Sequence, residues 1–514
     1  MLGNPSSAAA LQYDLLIRNA LLLDGSGRPG WYADLAVLAG NIVAIGDLAG
    51  EAAVCAANQA ATVIDATGLV LAPGFIDVHT HDDLEVLRNP QMLAKLSQGV
   101  TTVITGNCGI SAAPVTLRTE VPDPMNLLGQ SADFCYPRFA DYAAAVDAVQ
   151  PAVNVAALVG HTALRASSMD RLDRAATPGE IVQMRQALEQ ALSQGALGLS
   201  SGLAYHNAAA APAEELLALA APLCAAGAIY TTHLRTEFDG ILDALTEAAD
   251  LGLKLNVPVV VSHLKCAGVL NWGRSAEILD FFAARRKQQQ FSCDCYPYSA
   301  SSSTLDLAQV TADFAIMITW SEPEPLSAGR LLADIAADWQ CSLLEAATRL
   351  MPAGAVYHGM HEADVQQFLQ APYSMIGSDG LPCDPLPHPR LWGAFPRVLG
   401  HYCRDLQLLE LAEAIHKMTG LSAENFNLTG RGLLREGYQA DLVLFDPSTI
   451  RDNATFTNPV AAAAGISAVW VNGVLSYQQG AATGQRAGRF LARLPAQNSV
   501  INHPNSNPDK EAHA

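Results

Sequence analysis

The sequence predicts an α/β fold: a TIM-type (β/α)₈ barrel with a small β-sandwich domain formed by both chain ends. Two observations lead to this prediction. The middle of the 514-residue chain repeats a short apolar strand followed by a helical segment, which is typical of a parallel sheet covered by helices. Both ends instead carry short alternating runs separated by glycine-containing turns, which indicate antiparallel strands.

The β-sandwich is predicted from strands that lie at opposite ends of the chain. In chain order they are Tyr13–Asp24, Asp34–Leu38, Asn41–Ile45, Asp441–Phe445 and Ala468–Tyr477. The last run contains Asn472-Gly473, a strong hairpin signal. We therefore expect residues 1–68 and 431–494 to form this domain. The polar stretch 495–514 predicts a disordered tail.

Residues 69–430 are predicted to form the barrel. Its eight strands are short, apolar and mostly β-branched: Phe75–Val78, Thr101–Thr105, Val153–Val159, Ala196–Ser200, Ile229–His233, Val257–His263, Phe291–Tyr296 and Tyr373–Ser378. Eight strand–helix units close naturally as a TIM barrel. The clearest helix begins at Thr177-Pro178-Gly179-Glu180, a capping box with proline at the first helical position. The gap of about residues 300–372 between strands seven and eight is too long for a simple loop and predicts an inserted subdomain or a lid.

Charge and composition exclude several classes of partner. The chain has 30 basic and 50 acidic residues, for a net charge of −20, and this field repels nucleic acid and anionic membranes. No apolar run approaches the roughly 20 residues that cross a bilayer, and the first residues do not resemble a secretory signal. Ten scattered cysteines indicate reduced thiols. We expect a cytoplasmic protein that binds neither nucleic acid nor membrane; no pattern predicts its oligomeric state.

Six metal-ligand-type side chains fall at the ends of five predicted strands. They are His79, His81, Cys108, His233, His263 and Asp379. Residues two apart on a strand point to the same face, and the carboxyl ends of barrel strands meet at one mouth. Zinc takes nitrogen, sulfur and oxygen ligands and, in catalytic sites, keeps one position open. The set divides into a softer triad (Cys108, His233, His263) and a harder one (His79, His81, Asp379).

Each of these residues also has an ordinary structural interpretation. A lone His-x-His pair occurs by chance, Cys108 could be a small buried residue, and His233 and His263 could be core histidines. Their shared position at the strand ends favours the metal site over these interpretations. Cys293 and Cys295 share one strand face, and for them packing is favoured over ligation.

The same segments resemble a known family. Pro73–His81 (PGFIDVHTH) resembles the strand-one signature of the amidohydrolase superfamily. Ser97–Gly109, with its Gly-Asn-Cys-Gly block, is similar to the D-aminoacylase (N-acyl-D-amino-acid deacylase) family. Further similar segments are Gly198–Gly202 with Tyr205, Thr232–Glu237, Ser262–Lys265, Tyr296–Tyr298, Gly377–Gly380 and Pro387–Arg390. Strand four lacks the lysine that many binuclear amidohydrolases carboxylate, which favours this family over hydantoinases and dihydroorotases.

The resemblance implies a metal-dependent deacylase. One zinc would be held tightly by Cys108, His233 and His263, and a possible second, weaker position would use His79, His81 and Asp379. Water activated by the metal would attack the amide carbonyl, with Asp379 as general base and then acid. The implied substrate is a small N-acyl-D-amino acid, which would yield a carboxylic acid and a D-amino acid. The implied binding residues for its carboxylate are Lys265, Tyr296, Ser302 and Arg390, and the two cations suit an anion.

Side-chain preference and reaction type leave alternatives open. Residues 296–329 contain no lysine or arginine but several acids (Asp306, Asp313, Glu322 and Glu324). This favours substrates with neutral or apolar side chains. The alternatives are an amidohydrolase that cleaves a cyclic amide such as a hydantoin, or a dipeptide, and a non-catalytic barrel that acts as an interaction protein.

Overall fold

The structure, a computed structural model, describes residues 13–48 and 60–494. Its strands are β1 (Leu15–Leu22), β2 (Trp31–Leu38), β3 (Asn41–Gly46), β4 (Thr62–Asp65), β5 (Val70–Pro73), β6 (Phe75–Asp77), β7 (Val100–Thr105), β8 (Asn154–Ala157), β9 (Val159–Gly160), β10 (Gly198–Gly202), β11 (Ile229–His233), β12 (Val259–Val261), β13 (Phe291–Cys295), β14 (Ser301–Thr304), β15 (Ile316–Ser321), β16 (Ala353–Tyr357), β17 (Ser374–Ile376), β18 (Leu442–Phe445), β19 (Ile466–Val471), β20 (Val474–Gln478) and β21 (Ala481–Ala482). The α-helices of these residues are Glu85–Arg88, Leu93–Leu96, Phe139–Val149, His161–Ser168, Pro178–Ser193, His206–Ala209, Ala213–Ala220, Pro222–Ala226, Ile241–Leu255, Ser275–Arg285, Leu332–Trp339, Leu343–Leu350, Glu362–Gln370, Arg390–Arg397, Leu411–Met418 and Gly420–Asn425.

Strands from both ends of the chain form one sheet. Its order is β21-β20-β19-β18-β5-β1-β2-β3, with β4 beside β1. Strand β5 lies between β1, which it pairs in parallel, and β18, which it pairs antiparallel from Pro73 opposite Leu442. The hairpin of β19 and β20 turns at Asn472 and Gly473, both with positive φ (50° and 81°). These angles suit the Asn-Gly turn and confirm the predicted hairpin.

Two parallel sheets position the ends of the middle strands. One has the order β6-β7-β8 and the other β17-β13-β12-β11-β10-β9. Strand β8 ends at Ala157 and β9 begins at Val159, and a parallel bridge joins Thr80, beyond β6, to Gly380, beyond β17. Each of the eight strands predicted for the middle region overlaps one or two of these strands. The fold is therefore mixed α/β, and its parallel strands deliver their carboxyl ends to common edges.

The segment between β13 and β17 has its own sheet and core. Strand β16 pairs antiparallel with β14 and with β15. Buried apolar side chains, among them Leu305, Ile318, Ile335 and Leu350, pack together beneath this sheet. The segment coincides with the insertion expected at about residues 300–372.

The helix Pro178–Ser193 shows how local sequence sets an element boundary. The Thr177 hydroxyl accepts a hydrogen bond from the Glu180 backbone N–H at 3.3 Å, and the Glu180 carboxylate accepts one from the Thr177 backbone N–H at 2.7 Å. Two of the otherwise unpaired N–H groups at the start of the helix are thereby satisfied. The predicted capping box is confirmed.

Two predictions concern membrane association and the chain end. Among the described helices, none is both long and apolar enough to cross a bilayer. The predicted tail, residues 495–514, lies outside the described residues.

Candidate metal centre

Three of the predicted ligands have a left-handed backbone. The φ angles are 52° at Cys108, 35° at His263 and 48° at Asp379. Each residue follows closely after its strand, β7, β12 or β17 respectively. Positive φ is uncommon for residues other than glycine and costs on the order of 1–3 kcal/mol, so it persists only where the surrounding structure imposes it. The surrounding structure therefore imposes an uncommon backbone conformation on three of the predicted ligands.

Four of the six predicted ligands form one compact group. The potential ligand atoms of His79, Cys108, His263 and Asp379 all lie within 4.8 Å of one another, and all four residues are buried. The Cys108 Sγ lies 3.2 Å from His79 Nε2 and 3.4 Å from His263 Nε2. His79 Nε2 is 3.5 Å from Asp379 Oδ1. Nitrogen, sulfur and oxygen donors thus face a common point.

The other two predicted ligands flank this group. His81 Nε2 lies 3.2 Å from Asp379 Oδ1. The His233 ring centre is 4.5 Å from that of His263, and these two histidines form a second group with Glu237 whose ligand atoms also lie within 4.8 Å of one another. The six side chains therefore occupy one continuous site, with His233 on the Glu237 side.

Carboxylates lie behind two of the imidazoles. His79 Nδ1 is 3.3 Å from Asp294, and His263 Nδ1 is 3.0 Å from Glu237 Oε1. In the tautomers that present Nε2 as a ligand, each Nδ1–H donates to its carboxylate. Metal-binding histidines commonly have such a partner, which sets the tautomer and ring orientation. Together with the mixed donor set, this arrangement fits a metal ion such as zinc.

Electrostatics favour the ligand forms of the two acids. Burial raises the pKa of the Cys108 thiol, but the charges of His79 and His263 outweigh burial and hold that pKa well below its usual range. Burial likewise raises the pKa of Asp379, but Arg390 and His263 pull it well below the ordinary value. A thiolate and a carboxylate are therefore favoured, and these are the forms that bind metals. The protonated imidazoles that favour the thiolate must lose a proton to bind metal through Nε2, and the charge of a bound metal would then take their place.

Glu237 and Asp294 were missed as site residues by the sequence analysis. Glu237 lies four residues beyond His233 in the loop after β11. The pattern that could have identified it is an acidic residue close to a histidine at a strand end. Asp294 lies between Cys293 and Cys295 in β13. Since side chains alternate along a strand, placing both cysteines on one face leaves Asp294 on the opposite face.

A cavity of about 700 Å³ opens beside the metal-ligand group. Its wall includes His81, His233, His263 and Asp379, together with Lys265 and Ser302 from the predicted substrate-binding set. The other two members of that set, Tyr296 and Arg390, are buried and do not line the cavity. The structure therefore places two of the four on the wall and two behind it.

Both predicted substrate cations already have carboxylate partners. Lys265 Nζ lies 2.5 Å from Glu237 Oε1 and 2.8 Å from His263 Nδ1. Arg390 Nη2 donates to Asp379 Oδ2 at 2.9 Å and to the Ser302 carbonyl at 3.2 Å. Among the described residues, Arg390 Nε, Arg390 Nη1 and Ser302 Oγ are buried without a hydrogen-bond partner. Unpaired buried donors of this kind carry a free-energy cost that a ligand could relieve.

The fold and this site define a class of protein. Residues 62–257 and 331–477 match the Amidohydrolase family. That match spans more than half of the chain. The chain therefore belongs to the amidohydrolase family.

Known relatives indicate which group of amidohydrolases the chain belongs to. Three proteins of Alcaligenes xylosoxydans xylosoxydans are similar to it. A D-aminoacylase is 50% identical over 96% of this chain and 100% of its own length. An N-acyl-D-aspartate deacylase is 48% identical over 94% of this chain and 96% of its own length, and an N-acyl-D-glutamate deacylase is 44% identical over 93% of this chain and 96% of its own length. Within the family the chain groups with the D-aminoacylases and related N-acyl-D-amino-acid deacylases.

Solved structures agree with this grouping. A D-aminoacylase with a binuclear metal centre aligns with a TM-score of 0.90 at 47% identity, covering 94% of this chain and 100% of its own. An N-acyl-D-glutamate deacylase from Bordetella bronchiseptica, complexed with zinc and a phosphonate inhibitor that mimics the tetrahedral intermediate, aligns with a TM-score of 0.89 at 43% identity over the same shares. An L-hydantoinase from Arthrobacter aurescens aligns at 0.56 with 16% identity, covering 94% of this chain and 100% of its own, which shows a shared fold alone.

Proposed function

We propose that this protein is a zinc-dependent N-acyl-D-amino-acid deacylase that hydrolyses the substrate amide to a carboxylic acid and a free D-amino acid. The observation that carries the proposal is the convergence of Cys108, His79, His263 and Asp379 within 4.8 Å, next to the cavity. The relatives named above, at 44–50% identity, support the linear N-acyl-D-amino acid over a hydantoin or a dipeptide.

We infer that Cys108, His233 and His263 hold the tightly bound zinc, and that His79, His81 and Asp379 provide a second, weaker position. The Cys108 Sγ lies within 3.4 Å of Nε2 atoms from both sets, which supports a thiolate at their junction. For the D-aminoacylase aligned above, one metal activates and a second attenuates. When bound, zinc polarises a carbonyl oxygen and lowers the pKa of water.

Asp379 is the proposed general base and acid. Its Oδ2 is held by Arg390, while its Oδ1 faces His81 and His79. While the second, weaker position holds no metal, Oδ1 is the oxygen that would accept the proton of the attacking water and then donate it to the amide nitrogen. This second transfer is needed because an amine is a poor leaving group unless it is protonated.

The substrate carboxylate is proposed to bind between Lys265 and Ser302, with support from Arg390 and Tyr296. Arg390 keeps two donors without partners among the described residues, and Ser302 Oγ faces no partner there either. Burial raises the pKa of Tyr296 to about 12, so its hydroxyl remains a hydrogen-bond donor at neutral pH. A carboxylate accepts several such bonds at once.

The barrel and domain limits belong to the same proposal. We infer that the two parallel sheets close into a (β/α)₈ barrel within residues 69–430 and that residues 300–372 form an insertion. We also infer that the described parts of residues 1–68 form a β-sandwich with residues 431–494, and the apolar core that both parts share supports this. Two observations support closure of the barrel. A parallel bridge joins Thr80 to Gly380, and a single residue separates the end of β8 at Ala157 from the start of β9 at Val159. The cavity then lies at the carboxyl ends of the strands, where barrel enzymes have their active sites.

We propose that the cavity selects neutral or apolar substrate side chains. The wall includes the acids Asp123 and Asp306. Its one arginine, Arg235, is engaged by Glu247 at 2.7 Å and by the Ala209 and Ala211 carbonyls at 2.9 Å. The only other lysine or arginine of the described wall, Lys265, is assigned above to the carboxylate that every substrate carries. The described wall therefore offers no further lysine or arginine for an acidic side chain.

A substrate panel tests the reaction and the side-chain preference together. With zinc content measured on the same sample, we expect turnover of N-acetyl-D-methionine, none of N-acetyl-L-methionine, and a kcat/KM for N-acetyl-D-glutamate lower by about tenfold or more, equivalent to one unfavourable interaction of about 1.4 kcal/mol. Comparable turnover of the glutamate substrate would overturn only the preference. Cleavage of a hydantoin or a dipeptide instead would replace the reaction, and zinc binding without any turnover would favour the non-catalytic alternative.

Replacing Glu237 with glutamine tests the carboxylate behind His263. The amide keeps the shape but removes the charge that faces His263 Nδ1 and Lys265 Nζ. We expect zinc affinity, measured by competition with a chelating dye, to fall about 10–100-fold. The control is Glu247→Gln, which also removes an ion-paired carboxylate, with Arg235, but lies outside the ligand groups. Equal affinities in the two variants would contradict a supporting role for Glu237.

A further inference from the structure

The loop that presents Cys108 is held in an unusual conformation. Three of its four residues have positive φ: 76° at Gly106, 52° at Cys108 and 75° at Gly109. The loop also packs closely on β10, because a Cβ on Gly202 would lie only 2.2 Å from the Cys108 carbonyl oxygen. A non-glycine residue in this conformation needs surrounding contacts to keep it there.

One side chain of β10 supplies such contacts at both ends of the loop. Ser200 is fully buried. Its hydroxyl donates to the Gly106 carbonyl at 2.5 Å and accepts from the Gly109 N–H at 3.0 Å. A single oxygen therefore bridges the residues on either side of Asn107-Cys108. Because all three groups are buried, losing the hydroxyl leaves two backbone groups unpaired away from water.

We propose that Ser200 is a positioning residue for the Cys108 thiolate, acting through the loop 106–109 rather than by touching metal or substrate. This inference rests on the proposed zinc site. Without the hydroxyl, the loop no longer has a bond across its two ends, and the left-handed conformation at Cys108 loses support. The thiolate then spends less time in the geometry that the ligand set requires, so metal affinity falls.

The neighbouring serine offers a matched control. Ser201 is equally buried, but its hydroxyl contacts the Tyr230 hydroxyl at 2.6 Å and the Thr232 hydroxyl at 2.8 Å. Because alternate residues of a strand face opposite sides, it points away from Ser200 and its hydroxyl makes no described hydrogen bond to the Cys108 loop. Removing either hydroxyl costs buried hydrogen bonds, but only one of the two changes affects the loop.

The experiment compares Ser200→Ala with Ser201→Ala in the full chain. Two readouts are used: zinc affinity by chelator competition, and the thiolate-to-cobalt absorption band of the Co²⁺-substituted protein. We expect Ser200→Ala to lower zinc affinity by about 10–100-fold, the range seen when groups that support metal ligands are removed, and to weaken the cobalt band. Ser201→Ala should leave both unchanged. If Ser200→Ala does not fold, the near-isosteric Ser200→Cys replaces it, with a smaller loss expected.

A Cys108→Ala variant separates the two ways in which the idea could fail. If Cys108→Ala loses zinc but Ser200→Ala matches the parent protein in affinity and cobalt band, the positioning role of Ser200 is overturned and the zinc site stands. If Cys108→Ala keeps full zinc affinity, the proposed zinc site itself is overturned. If Ser200→Ala and Ser201→Ala lose the same zinc affinity, the loss comes from general destabilisation of the protein. That result would also overturn the positioning role of Ser200.

Discussion

Replacing Asp379 with asparagine is expected to lower kcat for N-acetyl-D-methionine by about 1,000-fold, within the range that positioned proton transfer contributes. An asparagine amide can neither accept the proton of water nor return it to the leaving amine. It keeps the size of the side chain and an oxygen that can face His81 and Arg390, which lie 3.2 and 2.9 Å from the carboxylate. The measurement is steady-state kinetics on samples matched for zinc content.

The control for this variant is Asp384→Asn in the same loop. The Asp384 carboxylate accepts hydrogen bonds from the Thr319 hydroxyl and the Leu386 N–H and does not line the cavity. We expect its kcat to stay within about threefold of the parent value, since small structural shifts cost less than about 1 kcal/mol. An Asp379→Asn protein that retained more than a tenth of the parent kcat would rule out Asp379 as the general base.

Replacing Cys108 with alanine is expected to abolish both zinc binding and hydrolysis. The Cys108 Sγ contacts one histidine of each proposed metal position. It lies 3.2 Å from His79 Nε2 and 3.4 Å from His263 Nε2. Alanine removes the charged donor without a substitute ligand, so we expect a loss of zinc affinity greater than the roughly 100-fold that follows loss of a supporting group. Metal analysis after gel filtration and hydrolysis of N-acetyl-D-methionine measure the two effects.

Cys295→Ala is the matched control for the loss of a buried thiol. The Cys295 Sγ contacts the Ser374 hydroxyl at 3.1 Å, and burial raises its pKa to about 12, so it remains a neutral thiol. We expect this variant to keep its zinc and its activity, with a modest fall in melting temperature from the small cavity. Normal zinc content in Cys108→Ala would be incompatible with a thiolate ligand at this position.

Much of the fold and the meeting of the site residues could be predicted because both depend on short-range rules. The Thr177 capping box and the Asn472-Gly473 turn are local patterns, and the structure shows each at the expected position. His79 and His81 share a face by strand alternation. Cys108 follows β7 of one parallel sheet, and His263 and Asp379 follow β12 and β17 of the other. Their proximity is expected because the carboxyl ends of barrel strands meet at one mouth.

The remaining features depend on contacts that no local pattern encodes. Lys265 pairs with Glu237 because the loops after β12 and β11 meet in three dimensions. Arg390 pairs with Asp379 because the long segment after β17 folds back on itself. The positive φ angles at Cys108, His263 and Asp379 are uncommon for residues other than glycine, although aspartate and histidine adopt them more readily than most residue types. Such departures are expected where the requirements of a site override local preference, and only the packed structure reveals them.

The sheet shared by the chain ends has a consequence for biosynthesis. Strand β5 needs β18 as its neighbour, from Pro73 opposite Leu442. At about 5–20 residues per second, a ribosome takes roughly 20–70 s to travel between these positions. During that interval the nascent chain displays the apolar edge of β5 unpaired, and such an edge invites pairing with other chains. Translation pauses and chaperone supply are therefore expected to affect the yield of this protein.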